Sequence, residues 1–166
     1  MTAEKRKELI MQQLHGTDQP ISAAALAKLC GVSRQVVVGD IALLRAGGTD
    51  IAATPRGYVL TREDSGILCR VACCHAGTDM ERELNIMVDQ GCTVLDVIVE
   101  HPIYGQLTGP LQLSSRYDVS QFVARCTRPL SALTEGIHLH TLSCPDAAAF
   151  DRVCRILKEM DILLEG

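Results

Sequence analysis

The stretch CGVSRQVVVGDIALLRA (residues 30–46) predicts a tight turn that leads into a helix. The tripeptide CGV suits the turn, and Ser33 is a typical N-cap because its hydroxyl can accept a hydrogen bond from a backbone N–H of the first helical turn. After the cap, the apolar residues Val37, Ile41 and Leu44 recur at the spacing i, i+4 and i+7. The stretch therefore predicts an amphipathic helix with one buried face.

The residues on either side of this helix complete a recognisable order of elements. Upstream, apolar spacing predicts two more helices over residues 3–14 and 23–29, the second of them capped by Ser22. Downstream, a glycine pair at 47–48 precedes two short strand candidates, IAA and GYVL, which TPR separates. Three helices, with a tight turn before the third, and then a hairpin are the order of a winged helix-turn-helix domain. We therefore predict a DNA-binding domain whose third helix enters the major groove; the alternative is a small helical packing domain.

Side chains around the third helix carry the chemistry that reading DNA requires. In the major groove an arginine can form paired hydrogen bonds with guanine, and a glutamine can do so with adenine. Other arginines can bind the phosphate backbone. The candidates for base contacts are Ser33, Arg34 and Gln35 at the start of the helix, and the candidates for phosphate contacts are Arg45 and Arg56.

The composition is that of a folded protein with an aliphatic core. Apolar residues make up 47% of the chain and charged residues 22%, which disfavours disorder. The net charge of −4 excludes a surface that is basic throughout but allows one basic face. The start MTAEKRKELI lacks the apolar stretch of a signal peptide, and no window approaches the roughly 18 apolar residues of a membrane span. A cytoplasmic protein without a membrane segment is expected.

The eight cysteines occur without the paired C-x2-C spacing of structural zinc sites, and nothing in the sequence indicates an oxidising compartment. Most of them lie in apolar runs, where cysteine packs as a small hydrophobic residue. Cys73 and Cys74 differ because they directly precede His75. Either could add a sulfur ligand to a bound metal, which would favour zinc.

The pattern changes near residue 61. Helical spacing dominates residues 1–60, whereas from residue 67 onward runs rich in valine and isoleucine alternate with helix-like runs. TREDSG (residues 61–66) between them is polar and ends in glycine, so we predict a linker there and domains at 1–62 and 67–166. The overall class is α+β, and the second domain is predicted to be a sandwich in which helices cover one face of a mixed sheet.

Histidines and one glutamate of the second region form a candidate metal site. His138 and His140 fall on a predicted strand and project to the same side, because side chains alternate along a strand. His75 ends another predicted strand, and Glu83 lies beside the buried face of the following helix, which makes it a better candidate than Glu81. Three imidazoles and a carboxylate suit Zn, Ni, Fe or Mn. The residues alone equally allow histidines that are solvated or hydrogen-bonded.

Four stretches resemble the 3H-domain transcriptional repressors, the niacin-responsive regulators of NAD biosynthesis and niacin uptake: GVSRQVVVGDIALLRAGG, ATPRGYVL, IMVDQGCTVLDVIVEHPIYG and PLSALTEGIHLHT. The resemblance implies a biotin-repressor-like winged helix joined to a 3H regulatory domain, in a homodimer that binds operator DNA. It also implies nicotinic acid as corepressor and a divalent transition metal held by His75, Glu83, His138 and His140. Gly39 departs from the family pattern, because a longer polar residue is expected at that position of the third helix.

Further residues are candidates for contact with the implied ligand. A pyridine carboxylate requires a cationic or metal partner and an apolar slot for its ring. Arg116 is a candidate clamp for the carboxylate, and Tyr104 is a candidate for stacking on the ring. His101 of HPIYG matches another family histidine and either contacts the ligand or fixes the end of its strand, the structural role being favoured. Two alternative functions are a metal-dependent enzyme acting on a nicotinate derivative and a repressor that senses the metal alone.

Overall fold

The computed structural model describes residues 1–61 and 66–166. Contacts between residues divide the chain into two compact units, Met1–Glu63 and Asp64–Gly166. Of the predicted linker, residues 61–66, the middle four lie outside the described part of the chain. Within that part, no helix combines the length and the apolar character that crossing a membrane requires.

The first unit consists of three helices and a two-stranded antiparallel hairpin, which confirms the winged helix-turn-helix prediction. Its elements are α1 (Ala3–His15), α2 (Ala23–Cys30), α3 (Arg34–Ala46), β1 (Ile51–Thr54) and β2 (Gly57–Leu60). The side chains of Ser22 and Ser33 accept hydrogen bonds from backbone N–H groups and thereby cap α2 and α3. Between these helices Gly31 has a left-handed φ of 65°, which a residue without Cβ adopts at little cost.

The apolar faces of the three helices meet in one core. Its fully buried members include Ile10, Leu14, Leu26, Val37 and Ile41. Asp40 is also buried on α3, where its carboxylate pairs with the guanidinium of Arg6 on α1. The exposed side of α3 is thereby held in a defined orientation on the domain.

The second unit is a four-stranded sheet with helices packed on it. Its elements are β3 (Ile67–Cys74), α4 (Met80–Asp89), β4 (Thr93–His101), β5 (Gly105–Leu113), α5 (Arg116–Arg125), β6 (Ile137–Cys144) and α6 (Ala147–Glu159), with short 3₁₀ helices at Gly77–Asp79 and Leu130–Thr134. The strand order is β3-β6-β4-β5. The α+β class and the sandwich of helices on a sheet are confirmed.

The sheet is antiparallel rather than mixed, which corrects one detail of the prediction. Every strand pairing among the described residues is antiparallel. β3 and β4, which α4 joins, run in the same direction and would pair in parallel if they were neighbours. β6 inserts between them and pairs antiparallel with both, so no parallel ladder forms.

One apolar core lies between the sheet and the helices. It includes Val71 of β3, Leu142 of β6, Leu84 and Met87 of α4 and Val153 of α6. Among the described residues of the second unit, six polar or charged side chains are buried: Glu83, Asp118, Ser131, His138, His140 and Ser143. Since burying a charge is costly unless it is paired, the partners of these residues indicate what the site can bind.

Candidate metal centre and DNA-binding helix

The histidines and the glutamate that were predicted as metal ligands lie together around one carboxylate. Glu83 Oε2 is 2.7 Å from His75 Nε2, and Glu83 Oε1 is 2.8 Å from His138 Nε2. His140 Nε2 lies 3.4 Å from Glu83 Oε2. The ring of His138 stands nearly perpendicular to the rings of His75 and His140, with centroids 4.9 Å away in each case. Three imidazoles therefore converge on a single buried carboxylate.

The secondary structure explains why these side chains meet. His138 and His140 alternate on β6 and project from the face that the helices cover, as the alternation predicts. His75 directly follows the last residue of β3, which pairs with β6. Glu83 lies in the first turn of α4 beside the buried Leu84, so its side chain reaches the same face from the helix. The strands supply the imidazoles and the helix supplies the carboxylate.

The second nitrogen of each ring contacts a backbone carbonyl. The distances from Nδ1 are 2.6 Å to Ala76 O for His75, 2.8 Å to Gly136 O for His138, and 2.7 Å to Asp96 O for His140. A carbonyl oxygen can only accept, so these partners assign the proton of each neutral ring to Nδ1. The three Nε2 lone pairs are then left facing Glu83. Metal-binding histidines are commonly oriented by such a contact of the other ring nitrogen.

His140 Nε2 is an orphaned polar atom in this arrangement. It is buried and lacks a hydrogen-bond partner among the described residues, because its 3.4 Å approach to Glu83 does not have hydrogen-bond geometry. A buried polar atom without a partner costs about 1–3 kcal/mol. Lone pairs of neutral imidazoles and of a carboxylate also repel one another. A divalent cation between them would accept all of these lone pairs, so the residues fit a metal such as Zn, Ni, Fe or Mn.

Protons can take the place of a cation in the metal-free protein. Burial opposes ionisation of Glu83, but the charge of His140 and the hydrogen bonds from His138 and His75 hold the pKa of Glu83 well below its ordinary value. Burial also opposes protonation of His75 and His140, but their contacts with Glu83 raise the pKa of both imidazoles overall. The free site thus contains an ionised carboxylate and two imidazoles, those of His75 and His140, that hold protons more tightly than usual.

The stability that this cluster contributes to the metal-free protein is expected to be greatest between pH 4.5 and pH 6.5, the ordinary pKa values of glutamate and histidine. As pH rises above this window, the contribution is lost while His75 and His140 deprotonate through their raised pKa values. As pH falls below the window, it is lost on approach to the lowered pKa of Glu83. Urea unfolding just below pH 6.5 and at roughly pH 8 measures the fall in the free energy of unfolding.

Glu83→Gln is the control for this pH dependence, since it removes the charge that raises both imidazole pKa values. Between the two pH values, the free energy of unfolding should therefore fall less in the variant than in the wild type. Other titrating groups contribute equally to both proteins. An identical fall in the variant and the wild type would contradict the expectation.

The residues predicted to bind nicotinic acid make their contacts outside this cluster. Arg116 forms a bidentate pair with Asp89 on the exposed side of α4, with Arg116 Nε 2.7 Å from Asp89 Oδ1. Tyr104 is 74% exposed at the turn between β4 and β5. In the described residues, no hydrogen bond, ion pair or ring contact joins Arg116, Tyr104 or His101 to the four-residue cluster. Their roles as ligand contacts stay predictions.

His101 makes hydrogen bonds that suit the favoured structural role at the end of its strand. Its Nδ1 accepts hydrogen bonds from the backbone N–H groups of Ile103 and Tyr104, at 3.1 and 3.3 Å. These bonds close the turn after β4, and the rings of His101 and Tyr104 lie 5.1 Å apart. The imidazole thus helps to order the hairpin between β4 and β5.

Two residues that contact the cluster, Gly136 and Asp96, were not predicted as site residues from the sequence. Gly136 has φ 95°, and a Cβ added to it would lie 2.4 Å from the carbonyl oxygen of His75. Its own carbonyl accepts from His138, so it touches two members of the cluster. A glycine two residues before the H-x-H motif is the only feature of the sequence that could have indicated this role. Asp96 contacts His140 Nδ1 through its backbone carbonyl, and its carboxylate accepts a hydrogen bond from the backbone N–H of Thr141, the next residue on β6.

The predicted base-contacting residues lie at the exposed start of α3. Ser33 is its N-cap, and its hydroxyl accepts from Val36 N. Arg34 and Gln35 follow in the first turn, and both side chains are exposed. The three residues are therefore accessible to a DNA duplex, and their contacts with bases remain predictions.

The predicted phosphate-contacting arginines already have partners within the first unit. Arg45 Nε donates to Ile51 O at 2.8 Å, and the Arg45 guanidinium lies 5.8 Å from the centre of the Tyr58 ring. Arg56 Nη1 donates to Gln19 Oε1 at 3.3 Å. These contacts hold the hairpin in position, and phosphate contacts by the two arginines remain predictions.

Gly39→Ala is expected to raise the free energy of unfolding of the first unit by about 0.5–1 kcal/mol, because glycine disfavours a helix interior by that amount. Gly39 is exposed on α3, and an added Cβ meets nothing within 4 Å. The glycine is therefore not required for packing inside the protein. If it admits a close approach of DNA to the helix, the same methyl group weakens DNA binding. Chemical unfolding and DNA-binding titrations measure the two effects.

Gly31→Ala is the matched control for Gly39→Ala. A Cβ at Gly31 also meets nothing within 4 Å, but φ there is 65°, so alanine should lower the free energy of unfolding by about 1–2 kcal/mol. A Gly39→Ala variant that is destabilised like the control would contradict the prediction.

Both units of the chain match known protein families. The family model described as 3H domain matches residues 69–166, and the one described as HTH domain matches residues 6–59. The chain is 43% identical to the probable transcription repressor NiaR of Thermotoga maritima, over 98% of this chain and 95% of that protein. It is 40% identical to the transcription repressor NadR of Bacillus subtilis, over 99% and 96% respectively.

These matches decide the class of protein. The relatives are named as a probable transcription repressor and a transcription repressor, and this chain has a helix-turn-helix domain, so the chain is a DNA-binding regulator rather than an enzyme. The alternative of a metal-dependent enzyme is thereby set aside. The resemblance of the four stretches to 3H-domain transcriptional repressors is confirmed. The chain belongs to the 3H-domain family of transcription repressors.

Proposed function

We propose that the protein represses genes of NAD biosynthesis and niacin uptake, with nicotinic acid as its corepressor. It acts in the cytoplasm as a homodimer whose two recognition helices read half-sites about one helical turn apart. The niacin in this proposal comes from the family resemblance of the four quoted stretches. The site that would receive it is argued from the residues of the second unit.

One observation carries the proposal, the orientation of the three imidazoles. A backbone carbonyl fixes each Nδ1, and each Nε2 faces the carboxylate of Glu83. Such a set is preorganised for a divalent transition metal held by His75, Glu83, His138 and His140. When bound, the metal supplies a positive centre that can accept the carboxylate or the ring nitrogen of nicotinic acid. This chain's residues hold that centre in a buried position, which favours recognition of an anion.

The ligand would act by changing the population of dimer states. A ligand shifts an equilibrium only as far as its affinity differs between the two states. By thermodynamic reciprocity, a corepressor that strengthens DNA binding must itself bind more tightly to the DNA-bound dimer. The proposal therefore makes the affinities for nicotinic acid and for DNA mutually dependent.

Operator-shift titrations of the full-length, metal-loaded protein test this function. The DNA is a duplex selected from a random library, with selections run both with and without nicotinic acid. Nicotinic acid should raise the DNA affinity, whereas nicotinamide, which has the same ring without the carboxylate, should not. A chelator should remove the effect of nicotinic acid.

Two results would redirect the proposal. If nicotinic acid leaves DNA affinity unchanged while the metal is bound, the corepressor assignment is wrong. If chelation alone abolishes DNA binding and nicotinic acid changes nothing, the metal is the effector and the protein is a metal-sensing repressor. Gel filtration of the metal-loaded protein checks the homodimer.

A further inference from the structure

A cysteine lies inside the candidate metal centre. Cys73 is on β3 directly opposite His138 on β6. Cross-strand partners in an antiparallel pair project to the same face of the sheet, so the thiol emerges on the face that holds the imidazoles. Cys73 is fully buried, with 0% of its surface exposed. The strand register therefore brings a sulfur atom to the cluster.

The sulfur atom of Cys73 lies close to two ligand atoms of the cluster. Cys73 Sγ, a carboxylate oxygen of Glu83 and a ring nitrogen of His138 all lie within 4.8 Å of one another. Among the residues that the structure describes, no other trio of histidine, cysteine, aspartate or glutamate side chains meets that distance. The one trio that meets this distance among the described residues thus includes sulfur.

Charge balance favours the same assignment. A divalent cation held by one carboxylate and neutral imidazoles keeps a net charge of about +1, which is costly in a buried site unless an anion compensates it. A thiolate from Cys73 would bring the net charge of the centre to zero while nicotinic acid is not bound. The neutral thiol of the metal-free protein packs with its apolar neighbours in the core, so the residue suits both states.

We propose that Cys73 is a ligand of the bound metal, in addition to the histidines and Glu83. On binding, the S–H bond breaks, its proton leaves to solvent, and a metal–sulfur bond forms without any change of oxidation state. The proposal rests on the metal site of the proposed function. Because thiolate is a soft ligand, it favours zinc and disfavours manganese at this site.

Titration of the metal-free, full-length protein with Co²⁺ tests the sulfur ligand. A thiolate bound to Co²⁺ gives a charge-transfer band in the near ultraviolet, separate from the visible bands that report coordination number. The wild type should show both. Cys73→Ser should still bind Co²⁺ and show visible bands, with an intensity changed by the loss of one ligand, but it should lose the charge-transfer band. Its preference for Zn²⁺ over Mn²⁺ should fall, because a serine hydroxyl is a harder ligand than a thiolate.

Cys74→Ser is the matched control, because Cys74 is the next residue on β3 and projects to the opposite face of the sheet. It should keep the charge-transfer band. X-ray absorption of the zinc-loaded wild type gives a second readout that needs no variant, a Zn–S distance of about 2.3 Å. This measurement decides the matter even if Cys73→Ser does not fold.

The outcomes separate this inference from the proposed function. Wild-type protein that binds Co²⁺ without the charge-transfer band, or zinc without a sulfur neighbour, overturns the role of Cys73 and leaves the metal site intact. A band that persists in Cys73→Ser also overturns it, because the sulfur then comes from another residue. Wild-type protein that binds neither metal overturns the metal site itself, and the role of Cys73 with it.

Discussion

Glu83→Gln should weaken binding of Zn²⁺ or Ni²⁺ by at least about 100-fold. Loss of a residue that only orients a metal ligand commonly costs 10–100-fold in metal affinity, and Glu83 is a direct candidate ligand. Its carboxylate lies within 2.7–3.4 Å of three imidazole nitrogens, so no other residue is as central. Glutamine keeps the shape but removes the negative charge that attracts the cation. Competition with a chelator of known affinity measures the change.

Glu81→Gln is the control for this prediction. Glu81 belongs to the same first turn of α4 but is exposed, so its neutralisation should leave the metal affinity nearly unchanged. Equal affinities for the Glu83→Gln variant and the wild type would contradict a metal site at this cluster. Circular dichroism of the metal-free variants shows whether the fold is kept.

Gly136→Ala should lower the free energy of unfolding by about 2–4 kcal/mol and also weaken metal binding. Gly136 has φ 95°, a conformation that L-residues rarely adopt, and its added Cβ would lie 2.4 Å from His75 O. Because the contact is with backbone, the chain after β3 must shift, and His75 moves with it. The same shift disturbs the carbonyl that orients His138. Chemical unfolding and a metal titration measure the two losses.

Gly105→Ala separates backbone strain from the clash. Gly105 also has a left-handed φ, of 69°, but its added Cβ meets nothing within 4 Å. Alanine there should cost about 1–2 kcal/mol and leave metal binding intact. If Gly136→Ala is no more destabilising than this control and binds metal normally, the glycine has no special role in orienting the site.

Much of the fold follows from short-range patterns in the sequence. The spacing of Val37, Ile41 and Leu44, with Ser33 before them, is sufficient for α3 because periodicity and capping act within a few residues. The same holds for the shared direction of His138 and His140 on one strand. Glu83 could be preferred over Glu81 because the helical period decides which carboxylate borders the buried face.

The order of the strands in the sheet cannot be predicted from such short-range patterns. β6 inserts between β3 and β4, which makes the sheet antiparallel where a mixed sheet was expected. Pairing between distant strands is selected by the packing of the whole core, so neighbouring positions along the chain do not reveal it. The groups that hold the imidazoles are equally long-range, as the 2.7 Å contact of His140 Nδ1 with Asp96 O illustrates.

The residue types and their local spacing are enough to name the ligands His75, Glu83, His138 and His140 as candidates, because each side chain's direction is set by its own helix or strand. Only the tertiary structure brings Cys73 opposite His138, sets Gly136 against His75, and pairs Arg116 with Asp89 instead of the cluster. For Cys73 and Gly136 the physical reason is the register between β3 and β6. A shift of one residue would turn every side chain of a strand to the other face, and that register is decided by the core rather than by either strand alone.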